Sequence, residues 1–273
     1  MNINGRLLSL EKPVVMGILN VTPDSFFAGS RKQHETVVTG CIETIISEGG
    51  AIIDIGGYST RPNAIDVTPE EEWSRVEPAL KIWRNNYSMM PASIDTFRAD
   101  IAKRAIREYG VSIINDISGG AMDEKMFETA ATLNVPYILT HYGSFQETPQ
   151  SVDNTQFQED VMMYFAKKLR TLRLLGVNDV ILDPGFGFGK TLEQNYALLR
   201  NLRNFGILFD CPLLVGVSRK SMIYKLLESA ADESMNGTTV LHTYALLNGA
   251  NILRVHDVRA AVEAIKLVDK IKK

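Results

Sequence analysis

Eight short apolar runs, each followed by a stretch long enough for a helix, constrain this chain more than any other feature. They occupy residues 14–19, 51–55, 92–94, 111–114, 135–139, 180–182, 213–217 and 252–255. They are rich in Val, Ile and Leu and show little polar alternation. Strands covered on both faces read this way, as in parallel sheets. Amphipathic segments lie between and after them, among them residues 70–84, 98–109, 157–175, 192–203, 221–229 and 258–271. Eight strand-then-helix units predict an α/β fold closed into a single (β/α)8 TIM barrel. A doubly wound open sheet is the competing arrangement for the same pattern. One barrel takes about 250 residues, so residues 1–273 read as one barrel domain. Residues 1–12 precede the first run and are expected to form a short N-terminal cap segment over the barrel's bottom. The longest polar connections span residues 26–36, 58–69 and 142–154. Loops that long in a compact domain are often functional.

Charge narrows the partners. There are 29 basic and 32 acidic residues, a formal net charge of −3. A general nucleic-acid binder shows a basic excess, so none is expected here. Cys41 and Cys211 form no CxxC pair and no disulfide framework, which fits reduced thiols in a cytoplasmic chain. Residues 1–13 lack the basic-then-apolar order of a secretory leader. No apolar run reaches the roughly 18 residues that span a bilayer, so no membrane role is expected.

Nearly every run ends in a polar or charged residue. In order these are Asn20, Asp95, Asn115 and Asp116, His141, Asp183, the trio Ser218, Arg219 and Lys220, then Arg254 and His256. In a (β/α)8 barrel the C-terminal strand ends ring one mouth, where active sites sit. Turn formers alone would be Gly, Asn and Ser, not Lys, Arg and His. Asp95, Asn115 and Asp183 supply acceptors suited to a heterocycle with several N–H donors. Lys220, Arg254 and His256 suit anions such as diphosphate or carboxylate. Arg254 and His256 lie two apart on a strand and face the same way. The combination points to a nucleobase-like substrate carrying phosphate.

Seven segments in order carry a family resemblance. They are Gly17-Ile18-Leu19-Asn20-Val21-Thr22-Pro23-Asp24-Ser25-Phe26, Asp54-Ile55-Gly56-Gly57-Tyr58-Ser59-Thr60-Arg61-Pro62, Ser93-Ile94-Asp95-Thr96, Ile114-Asn115-Asp116-Ile117-Ser118-Gly119-Gly120, Asp183-Pro184-Gly185-Phe186-Gly187-Phe188-Gly189-Lys190, Gly216-Val217-Ser218-Arg219-Lys220-Ser221 and Arg254-Val255-His256-Asp257. Over about residues 14–258 the chain resembles the dihydropteroate synthases, pterin-binding barrel enzymes of folate synthesis.

That resemblance implies a transferase acting on 6-hydroxymethyl-7,8-dihydropterin diphosphate. Diphosphate leaves, and the aniline nitrogen of 4-aminobenzoate attacks the pterin-methyl cation to give 7,8-dihydropteroate. Stabilising charge on the departing group matters more than a strong base. Mg²⁺ is the implied cofactor, with Asn20 as its one protein ligand, as suits an ion that keeps several waters. Asn20, Arg254 and His256 are the implied diphosphate holders. Asp95, Asn115, Asp183, Phe188, Lys220 and Arg254 are the implied pterin contacts. Thr60, Arg61, Pro62, Phe188, Lys220 and Ser221 are the implied 4-aminobenzoate contacts, Ser221 standing where a helix would begin after the seventh strand. Asn20, Asp95, Lys220, Arg254 and His256 are the implied catalytic set. The loops over residues 22–31 and 59–63 are expected to cover the site and exclude water. The resemblance further implies a homodimer through outer helices, and sulfonamides as competitors of 4-aminobenzoate.

The chain departs from the family pattern in places. Tyr58 and Asn63 replace a Glu and a Gly of the second segment. Phe27-Ala28-Gly29-Ser30 replaces Ser-Asp-Gly-Gly, and Thr140-His141-Tyr142-Gly143 stands where Met-His-Met-x-Gly is common. No residue given a charge-handling role is lost. Two other functions fit the same fold, a pterin-dependent methyltransferase serving a corrinoid partner and a non-catalytic pterin-binding module. Gly185 to Thr191 is one residue too short between its first Gly and Gly-Lys for a phosphate-binding P-loop. The four histidines, His34, His141, His242 and His256, have no zinc-ligand spacing.

Overall fold

The computed structural model describes residues 1–22, 31–58, 66–143 and 154–273. The chain opens with strands β1 (Asn2–Ile3) and β2 (Arg6–Leu7), then runs through β3 (Val14–Asn20), α1 (Arg31–Ser47), β4 (Ile52–Gly56), α2 (Pro69–Asn86) and β5 (Ala92–Asp95). There follow α3 (Ala99–Tyr109), β6 (Ile113–Asp116), α4 (Met126–Leu133), β7 (Tyr137–Thr140), α5 (Asn154–Leu174) and β8 (Val180–Asp183). Last come α6 (Leu192–Arg200), α7 (Leu202–Phe209), β9 (Leu214–Val215), α8 (Ser221–Tyr224), α9 (Met235–Leu247), β10 (Ile252–Val255) and α10 (Val258–Ile271).

The eight strands β3 to β10 form one parallel sheet in the order β8-β7-β6-β5-β4-β3-β10-β9. A parallel bridge between Leu182 and Leu213 joins its two ends, and the Leu182 N–H donates to the Pro212 carbonyl at 2.9 Å. The sheet therefore closes into the barrel that the sequence predicts, not the open doubly wound sheet. The seventh run is only partly ladder, since β9 keeps two residues of it.

An Asn-Gly turn makes the predicted cap. Asn4 and Gly5 both take positive φ, 49° and 82°, the conformation a two-residue hairpin needs to match strand twist. Asn2 pairs with Leu7. The hairpin is tied beneath the barrel, where the Asn2 N–H donates to Asp179 Oδ2 at 2.8 Å and the Asn4 amide donates to the Gly110 carbonyl at 2.9 Å.

Helix ends follow local chemistry. Thr68 and Glu71 form a capping box with Pro69 in the first turn of α2, and Thr191 and Gln194 form another for α6. Three expectations shift. Helix α1 already begins at Arg31, inside the expected 26–36 connection. The 192–203 segment breaks at Asn201 into α6 and α7. Only four residues of 221–229 are helical.

The apolar interior has two parts. A large outer layer packs helices onto the strands, with Trp83, Phe165 and Phe205 at most 2% exposed. A smaller cluster fills the barrel's lower half: Met16, Ile52, Ile113, Ile138, Ile181, Leu214 and Ile252, capped by Ile3 of the hairpin.

Candidate active site

Strand alternation builds the site from that lower layer. Side chains two apart share a face, so one step up from Met16, Ile52, Ile113, Ile138, Ile181, Leu214 and Ile252 come Ile18, Asp54, Asn115, Thr140, Asp183, Gly216 and Arg254. Strand β5 contributes Ser93 below and Asp95 above. One further step brings Asn20, Gly56, Ser218 and His256 to the rim. The inner face thus changes from apolar to charged within a single residue pair. Gly56 has a steric reason, because a Cβ there would lie 3.1 Å from the Asp95 Cβ.

Asp54 is the hub. It is fully buried and accepts from the Ser93 hydroxyl, from Asn115 Nδ2 at 2.9 Å and from Arg254 Nε at 2.6 Å. A second guanidinium nitrogen of Arg254 donates to Asp95. One arginine therefore bridges two carboxylates, a geometry its rigid fork favours over a lysine. Burial pushes the Asp95 carboxyl up to about 7; Arg254 opposes that shift and the neighbouring Asp54 adds to it. Burial likewise raises Asp183, opposed chiefly by Lys220 and by the Gly185 N–H, which donates to Asp183 Oδ1 at 2.8 Å.

Lys220 follows β9, next to the strand that ends in Asp183 and across the ring from Asp95. Burial lowers its ammonium to about 8, while Asp183 pulls it back up. It donates to the Phe186 carbonyl, and its Nζ lies 4.1 Å from the Phe188 ring centroid. Phe188 in turn sits 6.0 Å from the Tyr142 ring. The turn that carries Phe188 is clasped from behind: buried Lys190 donates to the carbonyls of His141, Gly185 and Phe188 at 2.9, 2.8 and 3.1 Å. Gly189 admits no side chain, since a Cβ would stand 1.5 Å from the Gly143 oxygen.

At the rim the Ser218 hydroxyl lies 3.1 Å from His256 Nδ1 and accepts from the His256 N–H at 3.2 Å. Ser221 opens α8 as expected, although that helix is four residues long. Asn20 ends β3 half-exposed, and its side chain makes no hydrogen bond among the described residues.

The structure therefore gathers Asn20, Asp95, Asn115, Asp183, Phe188, Lys220, Arg254 and His256 at one mouth. Thr60, Arg61, Pro62 and Asn63 lie outside the described residues, as do 23–30 of the first expected loop. Three strand-end residues turn elsewhere. Asp116 alternates outward and holds the turn after β6, accepting from Tyr137 at 2.6 Å and from the Ser118 and Gly120 N–H groups at 2.8 Å each. His141 packs outside the barrel against Tyr164, ring centroids 4.8 Å apart, and burial drops its pKa to about 3. Arg219, at φ 54°, pairs with Asp257 at 2.6 Å. Sequence reasoning missed Asp54 and Ile18. A carboxylate inside an apolar run is the signal for Asp54, because buried acids are rare unless paired.

Comparison with known proteins agrees with this geometry. The family described as "Pterin binding enzyme" matches residues 16–256. A dihydropteroate synthase of Escherichia coli (strain K12) is 38% identical over 97% of this chain and 94% of its own length. A Clostridium difficile dihydropteroate synthase, solved in the presence of pteroic acid, superposes with a TM-score of 0.88 at 34% identity, over 96% of this chain and 97% of that one. A Xanthomonas albilineans dihydropteroate synthase, solved with 4-aminobenzoic acid, gives 0.89 at 33% identity over 99% and 97%.

Proposed function

This chain belongs to the pterin-binding enzymes as a member of the dihydropteroate synthases, and from that premise we propose how its barrel mouth joins a pterin diphosphate to 4-aminobenzoate. The observation that carries the reading is the inward layer in which Asp54, Asp95, Asn115 and Asp183 meet Lys220 and Arg254 above an apolar floor. Ionised Asp95 and Asp183 accept from the N–H groups of the pterin ring. Asn115 fixes its edge, and Ile18 and Phe188 bound its faces. Lys220 contributes the positive charge beside the ring. Arg254 and His256 hold the leaving diphosphate at the rim, and Phe188, Lys220 and Ser221, with Thr60, Arg61 and Pro62, receive 4-aminobenzoate. The methylene carbon's bond to the diphosphate oxygen breaks first, leaving a pterin-methyl cation; the aniline nitrogen then attacks that carbon and releases its proton to solvent. Neither the methyltransfer reading nor the non-catalytic one has support in the relatives, which are named as synthases.

Charge balance supports a divalent cation. The described mouth sets three carboxylates, Asp54, Asp95 and Asp183, against Arg254 and Lys220. Arg254 is already paired with two of them, and Arg219 is committed to Asp257. An incoming diphosphate needs further positive charge. The Asn20 carbonyl oxygen suits Mg²⁺, which takes few protein ligands and keeps its waters. No group of three or more His, Cys, Asp or Glu among the described residues competes for such an ion. When bound, it would neutralise charge on the departing diphosphate. We further propose a homodimer through α9 and α10, whose packed pair leaves Val240, Leu247, Leu267 and Ile271 exposed. No helix among the described residues is long and apolar enough to cross a membrane. The cytoplasmic placement that we propose rests on the free thiols of Cys41 and Cys211.

The test is direct. Pure protein with the pterin diphosphate, 4-aminobenzoate and Mg²⁺ is expected to yield dihydropteroate, to stop on chelation with EDTA and to restart on added Mg²⁺. Absence of product with both substrates and metal present sinks the reading.

The two shifted groups also set a pH profile. Protonation turns one Asp95 oxygen into a donor that opposes the pterin N–H groups, so kcat/KM rises as pH passes about 7. Lys220 loses its charge above about 8, so kcat/KM falls there. A narrow bell between those limbs is expected for the pterin diphosphate. Asp95→Asn is expected to erase the acid limb. A flat profile from pH 6 to 9 in the unmodified enzyme would contradict these assignments.

A further inference from the structure

Tyr58 stands just before residues 59–65 and Asp66 just after them. The Tyr58 hydroxyl donates to Asp66 Oδ1 at 3.1 Å. Alone and exposed to water, such a bond contributes little. Packing gives it support. The Tyr58 ring meets Phe97 edge to face with centroids 5.0 Å apart, and the Arg98 guanidinium lies 5.4 Å from the Tyr58 centroid and 4.7 Å from that of Phe97. Arg98 also reaches the far root, donating to the Val67 carbonyl and lying 3.9 Å from the Asp66 carboxylate.

The anchor under this cluster is rigid. Arg98 pairs with Glu72, which is fully buried and also accepts from the Thr96 hydroxyl at 2.6 Å. Thr96, Phe97 and Arg98 follow directly on Asp95. Both roots are thus fastened to the stretch of chain that leaves a carboxylate of the site. Arg75 adds a bond to the Gly57 carbonyl at 3.2 Å. Tyr58 is one of the positions where this chain departs from the pattern it resembles, which has Glu there. A Glu would set a second carboxylate against Asp66, so Tyr58 and Asp66 read as a matched pair.

We infer that Tyr58, Asp66 and Arg98 are positioning residues that fix the spacing between the two roots of residues 59–65 and thereby set the affinity for 4-aminobenzoate. The inference rests on the proposed reaction, in which Thr60, Arg61 and Pro62 serve that substrate. It does not make Tyr58 or Asp66 a contact of either substrate.

Two measurements test it. In steady-state kinetics, Tyr58→Phe and Asp66→Ala are each expected to raise KM for 4-aminobenzoate about three- to tenfold, the range one lost hydrogen bond gives. KM for the pterin diphosphate and kcat should stay within about twofold of the starting enzyme. Asp66→Asn keeps the acceptor oxygen and is expected to restore most of the affinity. The double variant Tyr58→Phe/Asp66→Ala should be little worse than either single one, as expected for residues acting as one unit. Separately, hydrogen exchange followed by mass spectrometry should show faster exchange over residues 57–67 in Tyr58→Phe, with other peptides unchanged. An unchanged 4-aminobenzoate KM, an equal rise in both KM values, or unaltered exchange in that peptide overturns the inference. If the unmodified enzyme made no dihydropteroate, the reaction would fall instead, while the exchange measurement would still judge the staple.

Discussion

Lys220→Ala lowers kcat/KM for the pterin diphosphate by about a thousandfold or more, while the barrel still folds. The size follows from what the ammonium does. It is bonded to no carboxylate among the described residues, and its charge acts on Asp183. Removing a single preorganised charged donor from a water-poor site costs about a hundred- to a thousandfold in rate. Here a second effect adds to it. Lys220 is the main influence holding Asp183 down against burial, so without it the Asp183 carboxyl rises further. The site then loses a donor and has a weakened acceptor beside it. Folding is spared because Asp183 still accepts from the Gly185 N–H. Steady-state kinetics with circular dichroism of the same sample checks both halves. Turnover within tenfold of the starting enzyme would remove Lys220 from the site.

Arg254→Ala is expected to damage stability as well as activity. Its guanidinium binds Asp54 and Asp95, and among the described residues neither carboxylate has another cation bonded to it. Breaking a buried pair from one side costs about 3–5 kcal/mol, because charge is left without a partner. For a chain of this length that is a fall of about 5–10 °C in Tm. The loss depends on pH in a definite direction. Asp95 already has a folded pKa above its unfolded value, and removing Arg254 raises it further. A group of that kind contributes stability fully below its unfolded pKa, and the contribution disappears as pH rises through the folded value. The variant should therefore lie closest to the starting protein near pH 5 and furthest from it near pH 8. Denaturant unfolding at those two values checks it, and a pH-independent difference would deny Asp95 its part. Arg254→Lys is expected to recover only part of the loss, since an ammonium cannot serve both carboxylates in the fork geometry.

Much of this architecture was legible in the amino-acid order, for a physical reason. Parallel barrel strands are covered on both faces and so read as unbroken apolar runs, and polar residues at their ends stand out against them. That exposed Asn20, Asp95, Asn115, Asp183, Lys220, Arg254 and His256. The same reading could not separate Asn115 from Asp116, or Thr140 from His141. Adjacent residues at a strand end face opposite sides, and the last one or two lie where the strand's bounds are least certain. Asp116 and His141 belong to the outer packing for that reason alone. Asp54 was hidden by the opposite circumstance, lying inside a run instead of at its tip, so that the hub of the network looked like an interruption. The four-residue α8 and the two-residue β9 escaped because short elements are set by tertiary packing more than by local pattern.

The floor of the barrel settles traffic as well as stability. Met16, Ile113, Ile181, Ile252 and their neighbours, capped by the hairpin through Ile3, pack the lower end with buried apolar side chains among the described residues. Whatever reaches Asp54 and Asp95 enters and departs by one doorway. In the proposed reaction the pterin is the deeper guest, so it is seated before 4-aminobenzoate arrives. The joined product can withdraw only after diphosphate has cleared the same opening.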